Sequence, residues 1–332
     1  MVFEELASWW DQQPIAASLP FLNSQIVSCW EEGMDEPGSR LHVKLLRRAG
    51  ELVAALPLYR SAGRLRSPCR AFTYSTDIVA VDDEEVRSYL PRWLDDVAIA
   101  HLYRLREDSP LVAAVPEHPR WSIPSTLRCP YVDLSGGIDS VWSGLKAGLR
   151  KGLRRRRRRL DEMGTVTYMD HAPPAEVDRV LQKGWLLEAA GWKGRKGVAT
   201  LSVPATERWY RSVAERAEDQ GWLRVSSLHL DDRMLAFSLD LVYGGRRFGL
   251  NSSYDESIDV SRTSPGNLLF EFIIEQTASE GLQSYELSFA GGDWKYDWTS
   301  RSRLVYDLLI FGSGPLGRGL SLIRRAKDRR AS

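Results

Sequence analysis

Four stretches in the second half of this 332-residue chain carry groups that could do chemistry. Gly291-Gly292-Asp293-Trp294-Lys295-Tyr296-Asp297-Trp298 sets carboxylates, an ammonium and aromatic rings behind a glycine pair, directly after an apolar run that reads as a strand. The C-terminal end of a β-strand is a common place for active-site groups in α/β folds. Ser261-Arg262-Thr263-Ser264-Pro265-Gly266-Asn267-Leu268-Leu269 joins a strand to a helix. Backbone N–H groups at a helix start, with the dipole behind them, make a seat for a phosphate. No Lys follows Gly266, so this is not a nucleoside-triphosphate loop, and the chain has no G-x-G-x-x-G. Glu188-Ala189-Ala190-Gly191-Trp192-Lys193-Gly194-Arg195-Lys196-Gly197 is a helix end followed by a basic, glycine-punctuated loop of the kind that closes over a substrate.

The fourth stretch is the loudest: residues 146–159 hold nine Lys/Arg and no acid. On a helix, Trp142, Leu145, Leu149, Leu153, Leu160 and Met163 make an apolar stripe. Six consecutive arginines, Arg154 to Arg159, sweep more than one turn. Arg156 or Arg157 therefore falls where the stripe should run, and an inward guanidinium needs a carboxylate or a bound anion. A cofactor phosphate, tRNA or an acidic membrane surface would serve. Each stretch also has a plain structural use: a solvated basic face, a helix cap, a turn with ion pairs, a helix end. No Ser-His-Asp order or Cys-His pair accompanies them.

These groups need elements to hold them. The pattern predicts strands at about 222–230, 233–243 and 246–253, the last two joined by Gly244-Gly245 in a two-residue hairpin turn. Helices are expected at 140–162 (capped by Asp139 or Ser140), 175–190, 205–219, from Asn267 to about Ser279, near 294–299 and at 315–330. Strands are expected near 166–169, 284–290 and 303–311. The first half reads as a Trp-rich helical start, a hairpin through Leu41–Leu46 and Leu52–Tyr59, a helix from about Glu84 to Ala100, strands near 102–106 and 111–115, and a Pro-rich connector. The domain boundary is placed near 135, giving 1–135 and 136–332. Val43, Leu46, Leu52, Val53 and Ala54 match Val225, Leu228, Met234, Leu235 and Ala236 at a constant offset of 182, as two related halves would.

Composition sets the class. With 43% hydrophobic and 27% charged residues the chain is globular, not disordered. The net charge of +1 hides an asymmetry: 14 Lys/Arg against 19 Asp/Glu before residue 136, and 31 against 25 after it. No apolar run reaches the ~20 residues of a membrane helix, and the first residues show no secretory signal. Three cysteines, Cys29, Cys69 and Cys129, fit neither a disulfide framework nor a metal knuckle, and none of the five His is paired as H-x-x-x-H. A cytoplasmic protein without a metal is the expectation.

Taken in order, the L-R-K-G-L-R-R-R-R-R-R-L helix, the G-W-K-G-R-K-G loop, the S-P-G-N-L-L helix start and the G-D-W-K-Y-D-W turn resemble the Fem-like and CelD-type branch of the GNAT acyltransferase superfamily, over residues ~140–311. Residues 1–135 resemble the more variable first half of such two-domain proteins. The resemblance implies an α/β fold of two tandem GNAT-type domains, each a mixed, splayed sheet, with a thioester donor entering between two parting strands. It implies acyl-CoA as donor, acetyl-CoA foremost, with its pyrophosphate on Arg262, Thr263, Ser264, Gly266 and Asn267. The chain lacks the Q/R-x-x-G-x-G/A form of typical GNAT pyrophosphate loops. In the implied mechanism an amine or hydroxyl attacks the acyl carbon. Lys295 stabilises the oxyanion, Asp293 or Glu188 is the base, Asn251 and Ser252 orient the acyl group, and Trp192 and Lys193 close over the acceptor, with Arg156 or Arg157 also available to it. The acceptor would be a small molecule or glycan, such as an envelope or exopolysaccharide intermediate. Two alternatives stand: aminoacyl-tRNA-dependent transfer of the Fem type, and a non-catalytic module that binds an acidic membrane or nucleic acid through Arg154–Arg159. The absence of a long coiled-coil insertion favours acyl-CoA over tRNA.

Overall fold

The computed structural model describes residues 2–33, 41–61, 64–68, 73–170, 174–289 and 292–331. In chain order these form α1 (Val2–Asp11), α2 (Pro14–Ser18), α3 (Ser24–Ser28), β1 (Leu41–Arg48), β2 (Glu51–Ser61), β3 (Arg64–Arg66), β4 (Val79–Ala80), α4 (Glu84–Leu94), β5 (Ile99–Arg106), α5 (Pro110–Ala113) and β6 (Trp121–Asp133). There follow α6 (Gly137–Gly144), α7 (Ala147–Asp161), β7 (Val166–Met169), α8 (Val177–Ala190), α9 (Trp192–Arg195), α10 (Pro204–Asp219), β8 (Leu223–Leu230), β9 (Arg233–Tyr243), β10 (Arg246–Tyr254), α11 (Val260–Thr263), α12 (Pro265–Ser279), β11 (Ser284–Glu286), β12 (Ser302–Phe311) and α13 (Pro315–Ala331).

Two compact units result. The first comprises residues 1–128 and 303–332, the second 129–302. The expected division at 135 gave the whole C-terminal third to the second half. Instead β12 pairs antiparallel with β5, Phe311 opposite Ile99, and so the chain returns to the first unit. That unit's sheet runs β1-β2-β3-β5-β12, with β3 and β5 parallel and its other pairs antiparallel. Leu56, Leu58, Leu90, Leu94, Leu102 and Ile310 centre its core.

The second unit's sheet runs from the C-terminal part of β6 through β11-β10-β9-β8 to β7. Here β10 and β11 are parallel and the neighbouring pairs antiparallel. Helix α12 buries Leu268, Leu269, Phe270, Ile273 and Ile274 against it. Helix α8 packs close to β9, where a Cβ on Gly184 would collide with the Phe237 ring.

Several elements depart from the sequence pattern. The expected 140–162 helix breaks at Leu145, whose extended backbone separates α6 from α7, and α6 starts from Gly136, not from Asp139 or Ser140. The 111–115 strand is instead the short helix α5, capped by the Ser109 hydroxyl. The Pro-rich connector is the thirteen-residue strand β6, with Pro124 and Pro130 inside it.

The two halves echo each other in detail. Hairpins β1–β2 and β8–β9 carry the same irregularity, between Leu46 and Arg47 in one and between Leu228 and His229 in the other, an offset of 182. Ala49 (φ 51°) and Asp231 (φ 52°), again 182 apart, hold the same left-handed turn position.

Candidate active site

The site is built where two parallel strands part. β10 and β11 pair only over Arg246–Phe248 and Ser284–Glu286. β10 then runs on to Tyr254 beside β9, with a bulge between Gly249 and Asn251. Gly249 is needed at that fork, since a Cβ there would strike the Tyr285 hydroxyl. Past Glu286 the chain follows β6, Leu287 N–H donating to Pro130 O at 2.9 Å, and turns at Ser288, φ 51°.

Lys295 points back into this end of β11. It sits in a single 3₁₀ turn, Asp293–Asp297, entered through Gly292 at φ 90°. Gly291 lies outside the described residues. Lys295 Nζ donates to Leu287 O and, at 2.9 Å, to Ser288 O, and only 6% of Lys295 is exposed. Burial lowers its pKa to about 8; the Lys193 ammonium works in the same direction and Cys129 against it. Trp298 fixes the turn: its Nε1 donates to Asn267 Oδ1 at 3.2 Å and its ring lies edge-on to Phe270 of α12. Asp293 is exposed.

Glu188, at the end of α8, is buried and fully engaged. Oε1 accepts from Lys193 Nζ at 2.7 Å and from Asn251 Nδ2 at 2.8 Å, and Oε2 accepts from Thr200 N–H at 2.7 Å. Burial alone would raise its pKa, but the Lys193 ammonium and the Thr200 bonds outweigh it and hold the carboxyl below the usual range. A carboxylate stabilised by these bonds is a weak base and a firm anchor. Lys193 also donates to Ser252 O at 2.8 Å. On the same short helix, Trp192 N–H and Arg195 Nη2 reach the two oxygens of Glu256 at 2.8 and 2.6 Å. Two acids thus strap α9 along the end of β10. Trp192 is partly exposed.

The residues that the sequence offers for a phosphate lie at the start of α12. Ser264 is left-handed (φ 45°), no side chain caps the helix, and its first turn has no acid. Asn267 Nδ2 donates to Ser264 Oγ at 2.9 Å. Thr263 is buried and its hydroxyl is spent on Asp259 O at 2.8 Å, so it is turned away from a ligand. Arg262 is exposed, and Gly266 lies at the first turn beside the Tyr254 ring.

Of the arginine run, Arg157 is the inward member, bonded to Glu271 Oε2 of α12 at 2.8 Å. That pair supplies the carboxylate the sequence required, and it leaves Arg157 a clamp between α7 and α12 instead of a substrate ligand. Arg156 is half-buried, while Lys146, Arg150, Lys151, Arg154, Arg155 and Arg158 are exposed. Sequence reasoning missed Thr200, Glu256 and Glu271, whose roles come from partners 12 to 114 positions away.

Residues 147–296 match the acetyltransferase (GNAT) domain family. This segment is a GNAT domain. No curated protein matches the chain by sequence. Among solved structures, L-PGS from Bacillus licheniformis superposes with a TM-score of 0.59 at 13% identity, covering 97% of this chain and 96% of that one. FemX gives 0.59 at 10% identity over 97% and 98%. A Bacteroides thetaiotaomicron protein of unknown function gives 0.60 at 12% over 93% and 96%. The tandem GNAT fold therefore runs through nearly the whole chain, and the buried Lys295, Glu188 and Asn251 all belong to its second GNAT unit. Among the described residues no helix is long and apolar enough to cross a membrane.

Proposed function

We propose that the second unit transfers an acyl group from a thioester to an amine or hydroxyl. The observation that carries this reading is the buried Lys295 ammonium at the fork between β10 and β11. Its bonds to Leu287 O and Ser288 O fix the head group, and a fixed ammonium at this fork is placed to stabilise the oxyanion that develops on the acyl carbon. The Gly266 N–H at the uncapped start of α12, with Ser264, Asn267 and the exposed Arg262 beside it, would meet the donor's diphosphate. Glu188 holds Asn251 and Lys193 in place; Asp293, open to solvent, is the carboxylate left to take the nucleophile's proton. Acetyl-CoA is the donor favoured, and a small molecule or glycan of the cell envelope the acceptor, with the protein working in the cytoplasm.

A second reading shares the Lys295 chemistry but takes aminoacyl-tRNA as donor. The exposed basic residues of α7 favour it, since a row of cations suits a polyanion. The same row would also suit peripheral contact with an acidic membrane. Thermal melts with coenzyme A, acetyl-CoA and uncharged tRNA separate the donors. Stabilisation by the coenzyme at about a hundred times its Kd should reach ~2.7 kcal/mol. A shift with tRNA alone transfers the reading to the second donor.

A further inference from the structure

Asn251 holds a buried oxygen that the rest of the unit leaves open. The residue is 9% exposed and sits immediately after the β10 bulge, where that strand has left β11. Its Nδ2 is committed to Glu188 Oε1 at 2.8 Å and lies 3.4 Å from Thr200 Oγ1. Its Oδ1 is buried and has no hydrogen-bond partner among the described residues. The amide cannot be reversed, because Oδ1 would then face a carboxylate oxygen; the network assigns the orientation. Glu188 is in turn fixed by Lys193 and Thr200 N–H. Three groups therefore act together to aim one carbonyl oxygen, and a buried acceptor left without a donor is costly.

We infer that Asn251 Oδ1 is the seat for an N–H or O–H donor of the bound substrates. The inference rests on the acyl-transfer reading for its ligand and corrects one part of the sequence-based assignment. An acyl carbonyl is itself an acceptor and would be repelled by Oδ1, so Asn251 does not hold the acyl group. Two groups in such a reaction carry the needed proton: the attacking amine or hydroxyl, and an amide along the thioester's arm. Because Lys193 neutralises Glu188, the seat offers a neutral dipole instead of a charge. It accepts from an uncharged amine, the form that can attack, without trapping the ammonium. Glu188 is a positioning residue here, acting through the Asn251 amide.

The test compares wild type with Asn251→Leu and Glu188→Gln. Acetyl-CoA is the donor and hydroxylamine, which carries both N–H and O–H, the nucleophile, with release of the coenzyme thiol as readout. A calorimetric Kd for coenzyme A and a melting temperature are measured alongside. Loss of one hydrogen bond should change affinity about ten-fold. A rise in KM for hydroxylamine at unchanged coenzyme affinity places the nucleophile on Oδ1. A weakened coenzyme at unchanged hydroxylamine KM places the thioester arm there. Glu188→Gln, which frees the amide to turn, should move the same parameter about threefold or more, and it carries the test if Asn251→Leu fails to fold. Both parameters within twofold of wild type in the two variants, with only the melting temperature lowered, overturn the seat. If wild type releases no thiol, the ¹⁵N resonance of the Asn251 side chain, assigned by its absence from Asn251→Leu, decides. Movement with coenzyme A keeps both the seat and the acyl-CoA donor, movement with hydroxylamine alone keeps the seat while the acyl-CoA reading falls, and movement with neither overturns the seat.

Discussion

Replacing Lys295 by Met should slow transfer while leaving the fold as stable as before, or more so. The drop of its pKa from 10.5 to about 8, caused first by burial, corresponds to roughly 3 kcal/mol against the charged form in the folded state. The folded protein thus binds this proton less tightly than the unfolded chain. Between about pH 8 and 10.5 the unfolded state holds more protons, so this group's contribution to stability rises with pH through that window and is at its most unfavourable below it. Methionine keeps the stem and removes the charge, at the loss of the bonds to Leu287 O and Ser288 O. At pH 7 the variant should melt at or above wild type. Removing one preorganised donor to an oxyanion costs about 10²–10³ in rate, roughly 3–4 kcal/mol. Because the ammonium is the active form, wild-type turnover should fall about tenfold per pH unit above about 8, and the residual rate of Lys295→Met should lack that limb. Single-turnover transfer from acetyl-CoA to hydroxylamine, coenzyme calorimetry and melts at pH 7 and pH 9.5 check these together. A near-normal rate in Lys295→Met refutes the electrostatic role. A collapse of coenzyme affinity at unchanged turnover moves Lys295 to the donor's phosphates.

Gly266→Glu should abolish calorimetric binding of coenzyme A by setting an anion against its diphosphate. Gly266→Ala, which meets the same Tyr254 ring carbon at 3.3 Å, reports the steric part alone and should keep most of the affinity. Arg157→Ala leaves the one-tenth-exposed Glu271 carboxylate unpaired and should cost about 1–2 kcal/mol in denaturant melts, reduced from a fully buried pair because Arg157 is itself 44% exposed. Arg154→Ala and Arg155→Ala should stay within about 0.5 kcal/mol, and a uniform loss across the three would refute the clamp. Asp77 in the first unit has its pKa raised to about 7 by burial, against its bonds to Ser109 and the Ile78 and Arg106 N–H groups. Its contribution to stability is complete below pH 3.8 and is lost as pH rises through about 7, so Asp77→Asn should flatten that part of the stability curve.

What could be read from the sequence was whatever is local. The Gly244-Gly245 turn has both residues at positive φ, 54° and 72°, as the two-residue hairpin requires. Helical spacing narrows the inward arginine to Arg156 or Arg157, while the choice of Arg157 and its partner Glu271 are out of reach of the sequence. The strand–helix junction at Ser264 was legible, while the spending of Thr263 on Asp259 was not. Glu188 is, with Asp293, one of the two candidate bases that the resemblance implies. Its real situation depends on Thr200 and Asn251, which reach it only in three dimensions. Prolines hid β6, since Pro within a strand ordinarily marks an edge or a connector. The return of β12 to the first unit leaves no mark in composition, because strand pairing at a separation of some 200 residues has no local signature.

The offset of 182 bears on which unit holds a donor. It carries Glu84, the first residue of α4, onto Gly266 in the first turn of α12, and it carries Arg64 of β3 onto Arg246 of β10. In both units the first of these strands pairs in parallel with the strand that follows the helix. The two helix starts nevertheless have opposite electrostatics. Asp83 caps α4 by accepting from Val86 N–H at 3.1 Å, and Glu84 and Glu85 add two further negative charges to the first turn. That end is already satisfied and repels a diphosphate. At α12 the corresponding residues are Pro265, Gly266 and Asn267, with no side-chain cap and no acid. The helix end at α4 is closed by its own carboxylates and the matching one at α12 is open, so a phosphate-bearing donor is expected only in the second unit, beside Lys295. Coenzyme binding should therefore be lost in Gly266→Glu and unaffected by Asp83→Ser. A wild-type stoichiometry of two per chain would contradict this division.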